Sequence, residues 1–213
     1  MTMTPQDIGK ATEALCRKAP VIPVLVIEDA AHAVPLAQAL VAGGLPVLEV
    51  TLRTPVALEA IAAMSQVAGG IVGAGTVLTP DDVTAARAAG AQFAVSPGAT
   101  DRLLDACEAA DLPILPGAAT ATEAMRLLER GYDTLKFFPA SAIGGAPALR
   151  ALGGPLPQLR FCPTGGIDTV NAPDYLSLPN VLCVGGSWVA PRKLVENGEW
   201  AAITGLARQA AAL

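Results

Sequence analysis

Eight short apolar runs recur along the chain, at residues 21–27, 46–52, 71–75, 92–96, 113–116, 134–139, 159–164 and 181–184, and a stretch of helical spacing follows each one. Their separation of about 25 residues suits a strand and a returning helix with nothing to spare. The runs are apolar almost throughout rather than alternating, as parallel strands covered by helices are. Eight such units in 213 residues predict an α/β fold, a (β/α)8 barrel of the TIM type and slightly under its usual size, with a single domain over residues 1–213. A helical stretch at 5–19, with Ile8, Ala11 and Leu15 on one side, is read as an extra N-terminal helix. A doubly wound open sheet is the structural rival. It would place a glycine-rich phosphate turn after the first strand, and Ile27-Glu28-Asp29 has no glycine.

Local signals punctuate the same frame. Ala33, Leu36, Ala37 and Leu40 mark a helix at 30–42, with Pro35 near its first turn and Gly43-Gly44 at its end. Thr54 with Pro55, Thr79 with Pro80, and Thr100 with Asp101 read as helix starts. Thr120 and Glu123 form a capping box for a helix that Gly131 closes. Shorter helices are expected at 146–152 and 172–176. A final one at 199–211 has Trp200, Ile203, Ala207 and Ala210 on its buried side. Pro23 is a blemish in the first strand, because proline removes a ladder donor.

The composition removes several function classes. At 52% hydrophobic and 15% charged residues, the chain buries a large core and is not disordered. A net charge of −5 without a basic run argues against a nucleic-acid partner. There is no uninterrupted bilayer-length apolar stretch and no signal-peptide pattern, so the expectation is a cytoplasmic protein without membrane association. Cys16, Cys107, Cys162 and Cys183 are scattered and read as reduced, mostly buried thiols. His32 is the only histidine and is read as a surface residue, which argues against a histidine-based metal site and against a Ser-His-Asp triad.

Of the four lysines, Lys10 and Lys18 sit in the polar N-terminal segment and Lys193 in a late loop. Lys136 alone lies inside an apolar run. Alternation puts Thr134, Lys136 and Phe138 on one strand face, with Leu135 and Phe137 on the other. Apolar surroundings favour the neutral amine, which attacks carbonyls and forms Schiff bases. The plain alternative is a lysine that snorkels from the strand end, or half of a structural ion pair.

In a (β/α)8 barrel the chemistry belongs at the C-terminal strand ends. On the second strand Glu49, Thr51 and Arg53 share a face. A carboxylate there needs a partner. Glu49 is either a buried partner of Lys136 or Arg53, or a catalytic group. Arg53 is either a solvated loop residue or a bidentate carboxylate clamp. The Thr76 hydroxyl either caps a turn or serves the site. Gly165-Gly166 and Gly185-Gly186 follow the last two strands, where this architecture builds phosphate sites from backbone N–H groups. Ser187 is placed to open a short helix there.

Leu48-Glu49-Val50-Thr51-Leu52-Arg53-Thr54, Gly73-Ala74-Gly75-Thr76, Lys136-Phe137-Phe138-Pro139-Ala140, Phe161-Cys162-Pro163-Thr164-Gly165-Gly166-Ile167 and Gly185-Gly186-Ser187-Trp188 occur in this order. Together they resemble the 2-keto-3-deoxy-6-phosphogluconate (KDPG) aldolase family, which also acts on 4-hydroxy-2-oxoglutarate (KHG). The likeness spans residues 21–210. It implies a class I aldolase of the Entner–Doudoroff pathway, a homotrimeric (β/α)8 barrel acting on a phosphorylated 2-keto acid. It implies Lys136 as the Schiff-base lysine and Glu49 as general acid and base. Arg53 and Thr76 would hold the pyruvate carboxylate, with Phe138 beside the imine and Thr164 at the site. Gly165, Gly166, Gly186 and Ser187 would receive the phosphate. No metal or other cofactor is implied, because the imine supplies the electrophilic pull. Ser141 departs from the glutamate of many relatives after Phe-Phe-Pro-Ala, which bears on substrate detail. Two rivals stand beside this reading: a phosphate-binding barrel that works without a covalent lysine, and a catalytically inert scaffold on the same fold.

Overall fold

The computed structural model describes residues 3–213. Strands and helices alternate: α1 (Pro5–Cys16), β1 (Val21–Leu25), α2 (Ala33–Ala42), β2 (Val47–Thr51), α3 (Ala57–Met64), β3 (Ile71–Gly75), α4 (Pro80–Ala88), β4 (Ala94–Val95), α5 (Asp101–Ala109), β5 (Ile114–Leu115) and β6 (Gly117–Ala118). Then come α6 (Ala121–Arg130), β7 (Thr134–Phe137), α7 (Gly145–Gly153), β8 (Arg160–Pro163), α8 (Ala172–Leu176), β9 (Val184–Gly186), α9 (Arg192–Glu196) and α10 (Trp200–Ala211).

The strand pairs are all parallel, in two arcs of order β5-β4-β3-β2-β1-β9 and β6-β7-β8. Parallel bridges at Phe161–Val181 and Thr164–Gly185 join the arcs on one side. On the other, β5 and β6 are one run broken at Pro116, whose carbonyl accepts the Lys136 N–H at 2.8 Å. The result is a barrel-like wall with helices outside. The inner face is filled by Cys16, Ile22, Val47, Phe93, Val95, Leu115, Cys162 and Cys183. Leu48, Val50, Leu135, Phe137 and Phe161 point outward into the larger core beneath the helices.

The local signals explain most element boundaries. Capping boxes at Thr4–Asp7, Thr79–Asp82 and Thr120–Glu123 open α1, α4 and α6. Gly131, at φ +110°, closes α6 in the left-handed conformation. Pro23 sits where β1 changes partner: Val21 to Pro23 pair with β9, and Val24 and Leu25 pair with β2. α1 runs beneath the strands. The Met3 N–H bonds Asp111 at 2.6 Å, Gly9 packs on Asp133, and Cys16 reaches the inner cluster.

Several expectations need correction. Thr54 caps no helix; its hydroxyl donates to the Ile27 carbonyl at 2.6 Å, and α3 starts at Ala57 without a side-chain cap. The last strand covers 184–186 rather than 181–184. Gly185 and Gly186 extend beside Ile22 and Pro23, and Val181 makes only an isolated bridge. α1 ends at Cys16 rather than residue 19. A separate 3-10 turn, Ala30–His32, precedes α2. His32 is half-buried against Trp200, with ring centroids 5.8 Å apart, rather than a free surface residue. All four cysteines are free and buried. Among the described residues no helix is long and apolar enough to cross a membrane.

Phe93 packs its ring over the adjacent strand β3 because Gly73 offers no side chain. A β-carbon there would lie 2.5 Å from three atoms of its ring. Gly73→Ala is therefore expected to lower unfolding stability by about 1–3 kcal/mol in urea titrations, the usual cost of overpacking. Adding Phe93→Leu should recover part of that loss. A neutral Gly73→Ala would show that the ring is not held there.

Candidate active site

Glu49 and Lys136 come from opposite arcs of the wall. Both occupy the inward parity of their strands, Glu49 in register with Gly73 and Lys136 with Gly117 and Cys162. The Lys136 Nζ donates to Glu49 Oε1 at 3.2 Å, with the two side chains only 6% and 4% exposed. Glu49 fits because Gly75 has no side chain; a β-carbon there would stand 2.3 Å from Oε1. The amine also lies 5.4 Å from the centroid of the Phe138 ring, a cation–π distance. Beside Lys136, the Cys162 thiol is buried in one cluster with the thiols of Cys16 and Cys183. Among the described residues no grouping of His, Cys, Asp or Glu is arranged to hold a metal ion.

Arg53 and Thr76 meet at the mouth, where Arg53 Nε donates to Thr76 Oγ1 at 3.2 Å. Thr76 sits at φ +58°, a conformation that a β-branched residue adopts only under strain. That strain aims its hydroxyl at the guanidinium.

A cleft of about 200 Å³ opens beside this group. Arg53, Phe138, Thr164, Gly165, Gly166, Gly186 and Ser187 all line it, joined by Val24, Val26, Ile167 and Gly185. Phe138 connects the cleft to the buried pair: its ring lines the cleft and lies 5.4 Å from the Lys136 amine, whereas Lys136, Glu49 and Thr76 are not among the lining residues. A wider hollow of about 490 Å³ continues past Val24, Val26 and Ser187 toward His32 and Trp188. Among the described residues, the Thr164 hydroxyl is buried without a hydrogen-bond partner. It needs the bare backbone of Gly185, where a β-carbon would lie 2.2 Å from it. Gly186 is bare for another reason: the Trp188 ring occupies the space its side chain would fill.

Ser187 opens no helix, contrary to the sequence expectation; a turn runs from it to Ala190, and α9 begins only at Arg192. The cleft residues missed in the sequence are Val24 and Val26, apolar positions with no chemical signature, while Ile167 stood in a motif without an assigned role. Gly75 and Gly185 were visible as motif glycines, but not the side chains for which they make room.

The buried pair is testable without any assay of turnover. Glu49→Leu leaves an ammonium buried and unpaired, and its expected cost is about 3–5 kcal/mol in urea unfolding. The double variant Glu49→Leu, Lys136→Met should recover most of that loss. If Glu49→Leu proves neutral, Lys136 is not held as a charged partner.

The family model "Aldolase: KDPG and KHG aldolase" matches residues 12–206. The 2-dehydro-3-deoxy-phosphogluconate aldolase of Pseudoalteromonas atlantica is 55% identical over 194 residues, covering 91% of this chain and 90% of that one. The KHG/KDPG aldolase of Escherichia coli K12 is 51% identical over 201 residues, covering 94% of each. The crystal structure of KDPG aldolase from Legionella pneumophila, with pyruvate captured at low pH as a covalent carbinolamine intermediate, superposes with a TM-score of 0.90. It is 49% identical and covers 93% of this chain and 97% of that one. By the family match and these identities, the chain belongs to the KDPG and KHG aldolase family.

Proposed function

We propose that the protein is a class I aldolase. It cleaves 2-keto-3-deoxy-6-phosphogluconate to pyruvate and D-glyceraldehyde 3-phosphate, and 4-hydroxy-2-oxoglutarate to pyruvate and glyoxylate. The observation that carries this reading is the amine of Lys136, buried 3.2 Å from the Glu49 carboxylate behind the wall of an open cleft.

Proton transfer from Lys136 to Glu49 frees the amine's lone pair. The amine attacks C2 of the keto acid, and the carbinolamine oxygen leaves as water after taking a proton from Glu49. The resulting iminium draws electrons. Glu49, directly or across one water, takes the C4 hydroxyl proton. The C3–C4 bond pair moves to form the enamine, and the aldehyde departs. Glu49 then returns its proton to C3. Water adds to the pyruvate iminium, which releases pyruvate and the lysine. The iminium provides the electron sink, so the cycle calls for no metal and no other cofactor.

The remaining residues take roles that fit their positions. Arg53 and Thr76 hold the substrate carboxylate through a forked guanidinium and a hydroxyl. Phe138 shields the imine from water. Thr164 offers its unpartnered hydroxyl to the bound keto acid. Backbone N–H groups around Gly165, Gly166 and Gly186, with Ser187, take the phosphate. The names of the relatives support the substrate assignment, and the carbinolamine of the Legionella enzyme supports the lysine chemistry. We read the fold as a single-domain (β/α)8 barrel in which β5 and β6 count as one strand and α1 is the extra N-terminal helix. A cytoplasmic homotrimer completes the reading, on the strength of the family resemblance; light scattering should give a mass three times that of the chain.

Pyruvate with borohydride should leave a stable adduct on the peptide containing Lys136. Lys136→Met should show neither adduct nor turnover while keeping its circular dichroism. Glu49→Gln should still fold and should lose about 10²–10⁴ in kcat, the usual range for a general acid–base group. A folded wild-type protein that gives no adduct would rule out the covalent reading.

A further inference from the structure

The turn after β8 is built from two glycines in the left-handed region, Gly165 at φ +102° and Gly166 at φ +71°. Such a pair has wide conformational freedom, so a turn that presents amides in one direction must be fixed from outside. Ser141 does this from the 3-10 turn after the lysine strand. Its N–H donates to the Gly165 carbonyl at 3.0 Å, and its hydroxyl donates to the Gly166 carbonyl at 2.7 Å. Asn171 Nδ2 reaches the same Gly166 carbonyl at 2.9 Å, and the Tyr175 hydroxyl lies 3.2 Å from the Ser141 oxygen. Space is tight here: a β-carbon on Gly166 would sit 2.8 Å from that of Ser141.

A trans peptide points its N–H opposite its carbonyl. With the Gly165 and Gly166 carbonyls turned toward Ser141, the N–H groups of Gly166 and Ile167 turn the other way. Both residues line the 200 Å³ cleft, and among the described residues neither N–H has a protein acceptor. Two converging free amides make an anion-binding concavity.

We propose that Ser141 is a positioning residue that orients these amides and thereby favours phosphorylated over unphosphorylated substrates. The proposal rests on the aldolase reading above for its substrates, but not for the anion. The Ala140 N–H also donates to the Thr164 carbonyl at 2.8 Å, so the loop leaving the lysine strand is tied to the turn after β8 by successive backbone hydrogen bonds.

The test compares Ser141→Ala and Ser141→Thr with the wild type. Loss of one hydrogen bond should raise KM for 2-keto-3-deoxy-6-phosphogluconate about fivefold and leave kcat within about twofold. The kcat/KM for 4-hydroxy-2-oxoglutarate should not change, and Ser141→Thr should restore the phosphorylated substrate. Calorimetric titration with inorganic phosphate should show the same weakening in Ser141→Ala, whatever reaction the protein performs. Equal losses on both substrates, or undiminished phosphate binding in Ser141→Ala, would overturn the proposal. Pyruvate–borohydride trapping on the wild type reports separately on the aldolase reading. A failed trap together with weakened phosphate binding would sink that reading and leave the role of Ser141 standing.

Discussion

The rest of the structure answers to one interaction, a lysine and a glutamate held 3.2 Å apart with almost no water around them. Stripping two charged groups of solvent costs several kcal/mol each, and their attraction offsets this only when the geometry is good. Neither residue could sit there alone at modest cost. Together they form a hydrogen-bonded unit in which each group supplies the partner that the other needs. The barrel-like wall suits such a unit, because parallel strands on facing arcs deliver side chains to a shared centre at fixed heights.

The room for that unit comes from missing side chains. Gly75 yields to the Glu49 carboxylate, Gly185 to the Thr164 hydroxyl and Gly73 to the Phe93 ring. In each case a strand position gives up its own packing so that a neighbour can occupy the interior. Polar groups gather near the mouth in this way, and apolar ones fill the layer below. The glycines of the Gly73-Ala74-Gly75 segment thus act through space rather than through chain flexibility.

What could be read from the sequence followed from local physics. Thr79 and Thr120 open helices because capping boxes are short-range, and Lys136 stood out because its own strand is apolar. Glu49 could be placed on the inward face by parity, yet its distance to Lys136 depends on residues 87 positions away in sequence. Errors arose where a tertiary partner overrode a local signal. Thr54 carries a good cap signature, but its hydroxyl is taken by the Ile27 carbonyl of the neighbouring strand. Gly185 and Gly186 look like a turn, but β1 draws them into the ladder. The bracing of the turn after β8 by Ser141, Asn171 and Tyr175 had no sequence signature, because two loops and a helix meet only after folding.

α1 adds a property that neither end of the wall has by itself. It lies under the strand origins, anchored near Asp111 and Asp133, and delivers Cys16 into the interior. One end of the tube is therefore stoppered while the other stays open to solutes. The buried Lys136–Glu49 pair thus sits between a helix at one end of the wall and the cleft at the other. Displacing that helix would open the inner cluster of Cys16, Cys162 and Cys183 to solvent from below, at a distance from the cleft.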